Sequence, residues 1–342
     1  MSYQGYDLLV HMPMYFNALV IETTTKCNAR CAMCYQGVGP KGSDRWGTVS
    51  LTTGEVARVL RDAAGIETLR RRFHLSGGEA FLNFDDCVGL FQDARAQGFT
   101  ELTCTTNAYW SHARGRALSY AMRLRAAGVT NIEVSWDEWH APFIRPEAID
   151  NCLIACSEVG IETTLRVLSS RRHSLEEALA ALSPEALDTA GRITCGPVFP
   201  SGRAAGELDR EDFYRSSGGL DGSCHSYLNL TVNQRGDVFP CCAGMDQTDL
   251  YRFGNIREES IASIAAAMNR SYMLRTIVFQ GISSLDPILS AAGIELSSDY
   301  ANICHKCWSI FSDEHAVRAI VAHFREMERS AVLKAVEALQ QE

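Results

Sequence analysis

The sequence predicts an α/β fold organised around a parallel sheet, on two observations. From about residue 17 to 203, six short β-branched or apolar runs alternate with longer segments whose apolar residues recur at helical spacing. Gly98, Gly128 and Gly160 stand just past three of those segments, where a left-handed residue commonly closes a helix. Two successive parallel strands need a crossover between them, so repeated strand–helix–strand units make a parallel sheet. Ligands of such sheets sit beyond the C-terminal ends of the strands, and that rule locates the motifs below.

The strands are expected at Leu19–Glu22 (LVIE), Phe73–Ser76 (FHLS), Glu101–Thr105 (ELTCT), Asn131–Ser135 (NIEVS), Glu162–Leu168 (ETTLRVL) and Arg192–Val198 (RITCGPV). The helices between them are expected at Gly54–Arg70, Asp86–Gln97, Ala113–Ala127, Glu147–Val159 and Leu175–Leu182. After PSGRAAGELDRED the alternation stops. Residues from Ser216 to about Ser309 read as irregular and thiol-rich, and a last amphipathic helix, about Asp313 to Gln340, is expected on the outside.

A chain of 342 residues suits one large barrel-type domain or a domain with an appendage. The net charge of −9 weighs against broad attraction to nucleic acid phosphates, and RRRF at Arg70–Phe73 reads as a solvated helix end. The N-terminus shows no basic n-region, and no apolar run approaches the roughly 20 residues of a membrane span, so a cytoplasmic protein without membrane partners is expected. Thirteen cysteines in a reducing compartment point to metal or cluster ligation and catalysis rather than disulfides.

Cys27, Cys31 and Cys34 form C-x3-C-x2-C directly after the first strand. Three thiolates hold three irons of a [4Fe–4S] cluster and leave the fourth open to a ligand, whereas a structural zinc or a ferredoxin cluster recruits a fourth thiolate nearby. The alternative is zinc completed by a distant group such as His74. A second set comprises Cys224, Gly236 and Cys241 in GDVFPCC, FGNI at Phe253–Ile256, and Cys304 and Cys307 in CHKC. Four thiolates close a cluster, or equally a structural zinc site.

CNARCAMC after a first strand resembles the signature of the radical S-adenosylmethionine (SAM) enzymes, and LSGGEAFLN at the end of strand two resembles the family's Gly-Gly-Glu motif. The resemblance spans about Leu19 to Cys307. It implies a partial (β/α)6 barrel over residues 17–205 after an N-terminal segment, 1–16. A SPASM/twitch-type auxiliary domain of the single-cluster kind follows at 206–312, then a C-terminal helix at 313–342. The implied cofactors are SAM, a SAM-binding [4Fe–4S] cluster on Cys27, Cys31 and Cys34, and one auxiliary [4Fe–4S] cluster on Cys224, Cys241, Cys304 and Cys307. Cys242, beside Cys241, is able to exchange ligand roles with it. Residues implied to contact SAM are Ser76, Gly77, Gly78 and Glu79 at the methionine end, Asn107, Ser135 and Arg166 at the ribose or carboxylate, and Met33 against adenine.

The family chemistry implied is reductive cleavage of SAM to a 5′-deoxyadenosyl radical that removes a hydrogen atom from an unactivated substrate carbon. Oxidation, by dehydrogenation or cross-linking with an electron passed to the auxiliary cluster, is the first expectation. Redox-neutral epimerisation with Cys195 or Cys242 as hydrogen donor is the second, with decarboxylation also open. A non-catalytic zinc or redox-sensing protein is a distant alternative. Asp137 and His140 in SWDEWHAPF read as catalytic or substrate-binding candidates, or as part of a loop whose tryptophans close the mouth of the sheet. Only about sixteen residues precede the first strand, which favours a small biosynthetic intermediate. A short ribosomal peptide, alone or presented by a separate recognition protein, is the other substrate class. The expected electron donor is a flavodoxin or ferredoxin, and no nucleic acid partner is expected.

Overall fold

The structure is a computed structural model and describes residues 13–339 apart from 217–219, 221, 225–227, 243–244 and 246–247. Six strands lie at or within two residues of their expected bounds: β1 (Leu19–Glu22), β2 (Arg72–Ser76), β3 (Glu101–Thr106), β4 (Val129–Ser135), β5 (Glu162–Ser169) and β6 (Arg192–Pro197). Each pairs in parallel with the next in chain order. This is the sheet of a partial (β/α)6 barrel.

The crossover helices are α1 (Thr53–Ala63), α2 (Phe84–Ala96), α3 (Arg114–Ala127), α4 (Pro146–Glu158), α5 (Leu175–Ala180) and α6 (Pro184–Thr189). Helix α1 opens on a capping box, in which the Thr52 hydroxyl accepts from the Glu55 amide and the Glu55 carboxylate accepts from the Thr52 amide. It stops at Ala63, short of the expected Arg70, because the chain turns through Gly65 to bury Ile66 and Leu69 from a loop. The expected Leu175–Leu182 helix divides in two, since Ser183 caps a new helix that has Pro184 in its first turn. Helix α3 ends at Gly128, whose φ of 99° is the left-handed conformation that glycine adopts at no steric cost.

Strand side chains alternate between two environments. Leu75, Cys104, Val134, Leu165 and Val167 pack into the hydrophobic core beneath the helices. The alternate row faces the concave side and is polar: His74, Thr103, Thr105, Glu133, Ser135 and Arg166.

The region expected to be irregular is largely regular. Short helix α7 (Ala204–Glu207) precedes three strands, β7 (Leu230–Val232), β8 (Asp237–Phe239) and β9 (Gly254–Asn255), followed by helices α8 (Ile261–Arg270), α9 (Tyr272–Gln280), α10 (Asp286–Ala291) and α11 (Ile303–Phe311). Strand β7 pairs in parallel with β1, and β8 and β9 add antiparallel beyond it, so one sheet runs β9-β8-β7-β1-β2-β3-β4-β5-β6. The strand signal was present in LNLTVNQRGDVF, an alternating run, a turn and a second apolar run, but its segments are only three residues long. Helix α12 (Glu314–Leu339) closes the described chain, packing Val317, Ile320 and Phe324 into the core. No helix among the described residues is long and apolar enough to cross a membrane.

Candidate active site

The three-cysteine loop leaves β1 at the C-terminal end of the sheet and is tied down on every side. The Cys27 amide donates to the Gly39 carbonyl and the Cys34 amide to the Cys31 carbonyl. Arg203, 5% exposed, clamps the far side: its Nη1 donates to the Cys31 carbonyl (2.9 Å), its Nη2 to the Val38 carbonyl (2.9 Å) and its Nε to Asp44 (2.8 Å). Gly202 (φ 54°) lets that turn approach, because a Cβ there would sit 1.9 Å from the Tyr35 carbonyl oxygen. Cys27, Cys31, Met33 and Trp139 share one apolar cluster, so the thiols stand in a largely dry pocket. Burial, with the nearby Glu79 carboxylate, pushes the Cys27 thiol up, and burial does the same to Cys34. A bound cationic iron would reverse that preference and hold them as thiolates.

The Gly-Gly-Glu segment continues β2 alongside this loop. The Gly78 amide donates to the Thr24 carbonyl (2.6 Å), the Glu79 amide to the Lys26 carbonyl (2.8 Å), and a Cβ on Gly78 would lie 2.1 Å from that Lys26 oxygen. The glycines therefore bring the strand end against the cysteine loop itself. Ser76, at the strand end, accepts on its carbonyl from the Thr23 amide and hydroxyl. Glu79 is 1% exposed and its carboxylate is fully engaged by protein: Oε1 accepts from the Phe81 amide and the Thr106 hydroxyl, and Oε2 from the Asn107 amide (2.8 Å). Burial, only partly offset by those bonds, raises its pKa to about 7. Asn107 in turn reaches the Cys27 sulfur.

Ser135 and Arg166 are in-register neighbours on the concave face, with Thr194 next. The Arg166 guanidinium lies over Gly196, 3.2 Å from where a Cβ would stand, and within electrostatic reach of Glu133 and Cys304. Glu133 is a concave-face residue that the sequence reading missed. Its pKa is raised by burial, opposed by Arg166 and by a hydrogen bond from Thr105. A carboxylate inside the alternating strand NIEVS was the available signal. Both ring nitrogens of His74 are engaged, Nδ1 with the Thr103 hydroxyl (2.8 Å) and Nε2 with the Thr105 hydroxyl (3.0 Å), so His74 is not placed as a fourth metal ligand.

Asp137 and His140 form a buried dyad. Imidazole Nδ1 and carboxylate Oδ1 are 2.7 Å apart, Oδ1 also accepts from the Trp139 and His140 amides, and Oδ2 accepts from the Leu168 amide. Burial disfavours a charged His140, but Asp137 and Cys31, each hydrogen-bonded to the ring, outweigh it and hold the pKa well above the ordinary value. The dyad thus faces the cysteine loop. Trp139 packs on that loop, whereas Trp136 lies in the main core and donates to the Ala178 carbonyl.

Cys195 is not brought to the site. It pairs with Val167, whose side chain is on the helix-facing side, and its thiol donates to the Ser169 hydroxyl (3.3 Å) on the same side. One residue of alternation separates it from the concave face that Thr194 shares with Arg166. Cys87, Cys152 and Cys156 are buried in the core, as a small apolar role predicts, and Cys104 joins them.

The thiols of the second set lie within electrostatic reach of one another. Cys224 lies within electrostatic reach of Cys304, and Cys307 within reach of Cys241, Cys224 and Cys304. Cys304 and Cys307 sit one turn apart on α11, Cys241 follows β8, and the Cys224 amide donates to the Val278 carbonyl. Tyr251, buried and stacked on Phe311, walls the set. Burial pushes Cys224, Cys304 and Cys307 upward, as it does Cys27, and a cluster would again reverse this. Among the described residues no three Cys, His, Asp or Glu side chains converge as single-ion chelation requires, whereas a cubane distributes its thiolates over separate irons. Thiols are the donors that [4Fe–4S] clusters take, and three of them leave one iron open where four close the cluster.

The sequence model of the Radical SAM superfamily matches residues 21–197, just over half the chain, and that of SPASM, an iron-sulfur cluster-binding domain, matches 224–308. The putative peptide biosynthesis protein YydG of Bacillus subtilis (strain 168) is 21% identical over 316 residues, covering 89% of this chain and 95% of that protein. The GTP 3',8-cyclase of Peptoclostridium acidaminophilum is 31% identical over 123 residues, 35% of this chain and 34% of that protein. Among solved structures, native anSMEcpe with bound AdoMet superposes with a TM-score of 0.55 at 13% identity, over 91% of this chain and 99% of that one. The chain belongs to the radical SAM superfamily, with a C-terminal SPASM domain and with SAM and iron–sulfur clusters as its cofactors.

Proposed function

We propose that the protein abstracts a hydrogen atom from one residue of a peptide and that Cys242 returns a hydrogen atom to it, inverting that carbon. The observation that carries this reading is the thiol inventory at the auxiliary site. In this reading Cys224, Cys241, Cys304 and Cys307 are the four ligands, and Cys242, a fifth, half-buried cysteine, follows Cys241 directly in the chain. Cys195, the other donor considered, points to the helix side. A peptide is preferred over the small molecule expected from the sequence because the relative matched over nearly its whole length carries a peptide-biosynthesis description.

In this reading Cys27, Cys31 and Cys34 hold the SAM-binding cluster, and Met33, Ser76, Gly77, Gly78, Ser135 and Arg166 shape the SAM side of the site. When bound there, SAM supplies the 5′-deoxyadenosyl radical that takes the substrate hydrogen. A sulfur–hydrogen bond is weaker than the carbon–hydrogen bond it replaces, so transfer from Cys242 to the substrate carbon runs downhill. The sulfur radical left on Cys242 is restored by one electron from an external donor and one proton from solvent. The Asp137–His140 dyad, buried against Cys31, holds the loop rather than the substrate.

Oxidation is the second reading, and the position of concave-face Arg166 within electrostatic reach of Cys304 favours it. The substrate radical would then lose an electron toward the four-thiol site instead of gaining hydrogen.

Anaerobically reconstituted protein should carry about eight irons in two [4Fe–4S] clusters and form 5′-deoxyadenosine from SAM under reductant. Candidate peptides, translated from reading frames flanking the gene, are then assayed in D2O. Epimerisation places one deuterium on the altered carbon, and Cys242→Ala still forms 5′-deoxyadenosine but no inverted residue. A product lighter by two hydrogens in H2O establishes oxidation instead. Stoichiometric zinc without SAM cleavage would sink both.

A further inference from the structure

Asn107 was expected from the family resemblance to touch SAM, yet its backbone amide and both polar atoms of its side chain are already committed to protein. Its backbone amide donates to Glu79 Oε2 at 2.8 Å. Its side-chain Oδ1 accepts from the Tyr109 amide at 3.1 Å, which fixes which end of the amide is oxygen. The Nδ2 group then carries two hydrogens, one directed to Asn28 Oδ1 at 3.0 Å and one to the Cys27 sulfur at 3.6 Å. The same sulfur accepts from the Ala29 amide at 3.4 Å. Asn107 is 6% exposed and Cys27 8%, so water competes little for these bonds.

The supporting groups are equally constrained. Glu79 also binds the Thr106 hydroxyl, which in turn accepts from the Ala108 amide and the Trp110 indole. Ala108, directly after Asn107, adopts a left-handed φ of 57°, rare for a residue with a side chain. Strained backbone held by a buried carboxylate, with an amide as its payload, is an arrangement that orients a donor at a chosen atom.

We propose that Asn107 is a positioning residue that hydrogen-bonds the Cys27 thiolate and thereby sets the reduction potential of the SAM-binding cluster, with Glu79 as its anchor. An N–H on a ligand sulfur withdraws electron density and stabilises the more negatively charged, reduced cluster, so it raises the potential. This rests on the reading that Cys27, Cys31 and Cys34 carry that cluster. It gives the glutamate of the Gly-Gly-Glu segment a role through Asn107 rather than through the ligand.

The test is a potentiometric titration of the reconstituted full chain without SAM, followed by EPR of the reduced signal whose g-values shift when SAM is later added. In Asn107→Leu the reduced-to-oxidised ratio at a fixed solution potential should fall about tenfold, equivalent to about 59 mV for one electron. Glu79→Gln should move it in the same direction by less. An unchanged potential in Asn107→Leu at wild-type iron content overturns the inference and leaves the cluster assignment standing. A second measurement needs no variant: wild-type protein carrying 15N in asparagine side chains should show a weak nitrogen coupling on that signal. Its absence overturns the inference even where Asn107→Leu fails to load iron. If wild-type protein gives no SAM-responsive signal at all, the cluster assignment falls, and the inference with it.

Discussion

Arg203 does with one side chain what a disulfide does elsewhere. Its planar fork satisfies the carbonyls of Cys31 and Val38 and an Asp44 oxygen at once, from a position that water barely reaches. Arg203→Ala would orphan two carbonyls and should cost about 2–5 kcal/mol, read by urea unfolding, with iron retention falling in parallel. Arg203→Lys should recover little of it, because an ammonium lacks the fork geometry. A variant with wild-type stability would show the loop to be held by other means. His74 gives a pH-dependent prediction. Burial lowers its pKa to about 4, against an ordinary 6.5, so between those values the unfolded chain binds a proton that the folded chain refuses. The contribution of His74 to stability should therefore drop as pH falls from about 6.5 to about 4, by up to about 1.4 kcal/mol per pH unit, while Glu79, with its raised pKa, acts in the opposite direction. The difference in urea midpoint between wild type and His74→Gln, measured on the metal-free chain at pH 7 and pH 5, checks this: wild type should lose ground to the variant at pH 5.

At the scale of elements, the site depends on two chain segments lying closer than side chains permit. The end of β2 and the cysteine loop meet backbone to backbone at Gly78, where a methyl group would collide with the Lys26 carbonyl. Gly78→Ala should consequently displace the loop while sparing the sheet. The expected outcome is a far-UV CD spectrum like wild type with at least half of the SAM-cluster iron lost after desalting. Retention of full iron and SAM cleavage would mean the loop relaxes around the methyl. Alternation decides the fate of Cys195 at the same scale. Its position near the C-terminal end of a strand was legible, but its side depended on the β5–β6 register, which pairs it with Val167.

For the whole molecule, the consequential feature is that the SPASM part does not merely sit beside the barrel. Strand β7 continues the barrel sheet next to β1, the strand that launches the cysteine loop, through Leu19↔Leu230, Val20↔Thr231 and Ile21↔Val232. Buried on both faces, β1 would become an apolar open edge without it, and such edges template aggregation. A chain truncated after Leu208 should run as aggregate in size-exclusion chromatography and fail to hold iron. A monodisperse, iron-loaded fragment would show the barrel to be self-sufficient. Arg166 on the concave face of the barrel lies within electrostatic reach of Cys304 in the SPASM part.

The sequence by itself determined the six strands of the core, most of the helices between them and the spacing of both cysteine sets, because apolar periodicity and thiol spacing are local properties of the chain; the early stop of α1 and the split at Ser183 were not read from it. It also pointed to Gly77, Gly78 and Glu79 as one unit. It did not reveal that β7 joins β1, since a three-residue strand carries too few alternations to be read and its partner lies about two hundred residues away. Nor did it show that Glu79 addresses Asn107, that Asp137 and His140 face Cys31, or that Cys195 faces the helices. Those are matters of register and burial, which only long-range packing sets. A residue's type fixes what it is able to bond, and the tertiary structure alone decides which atom is within reach.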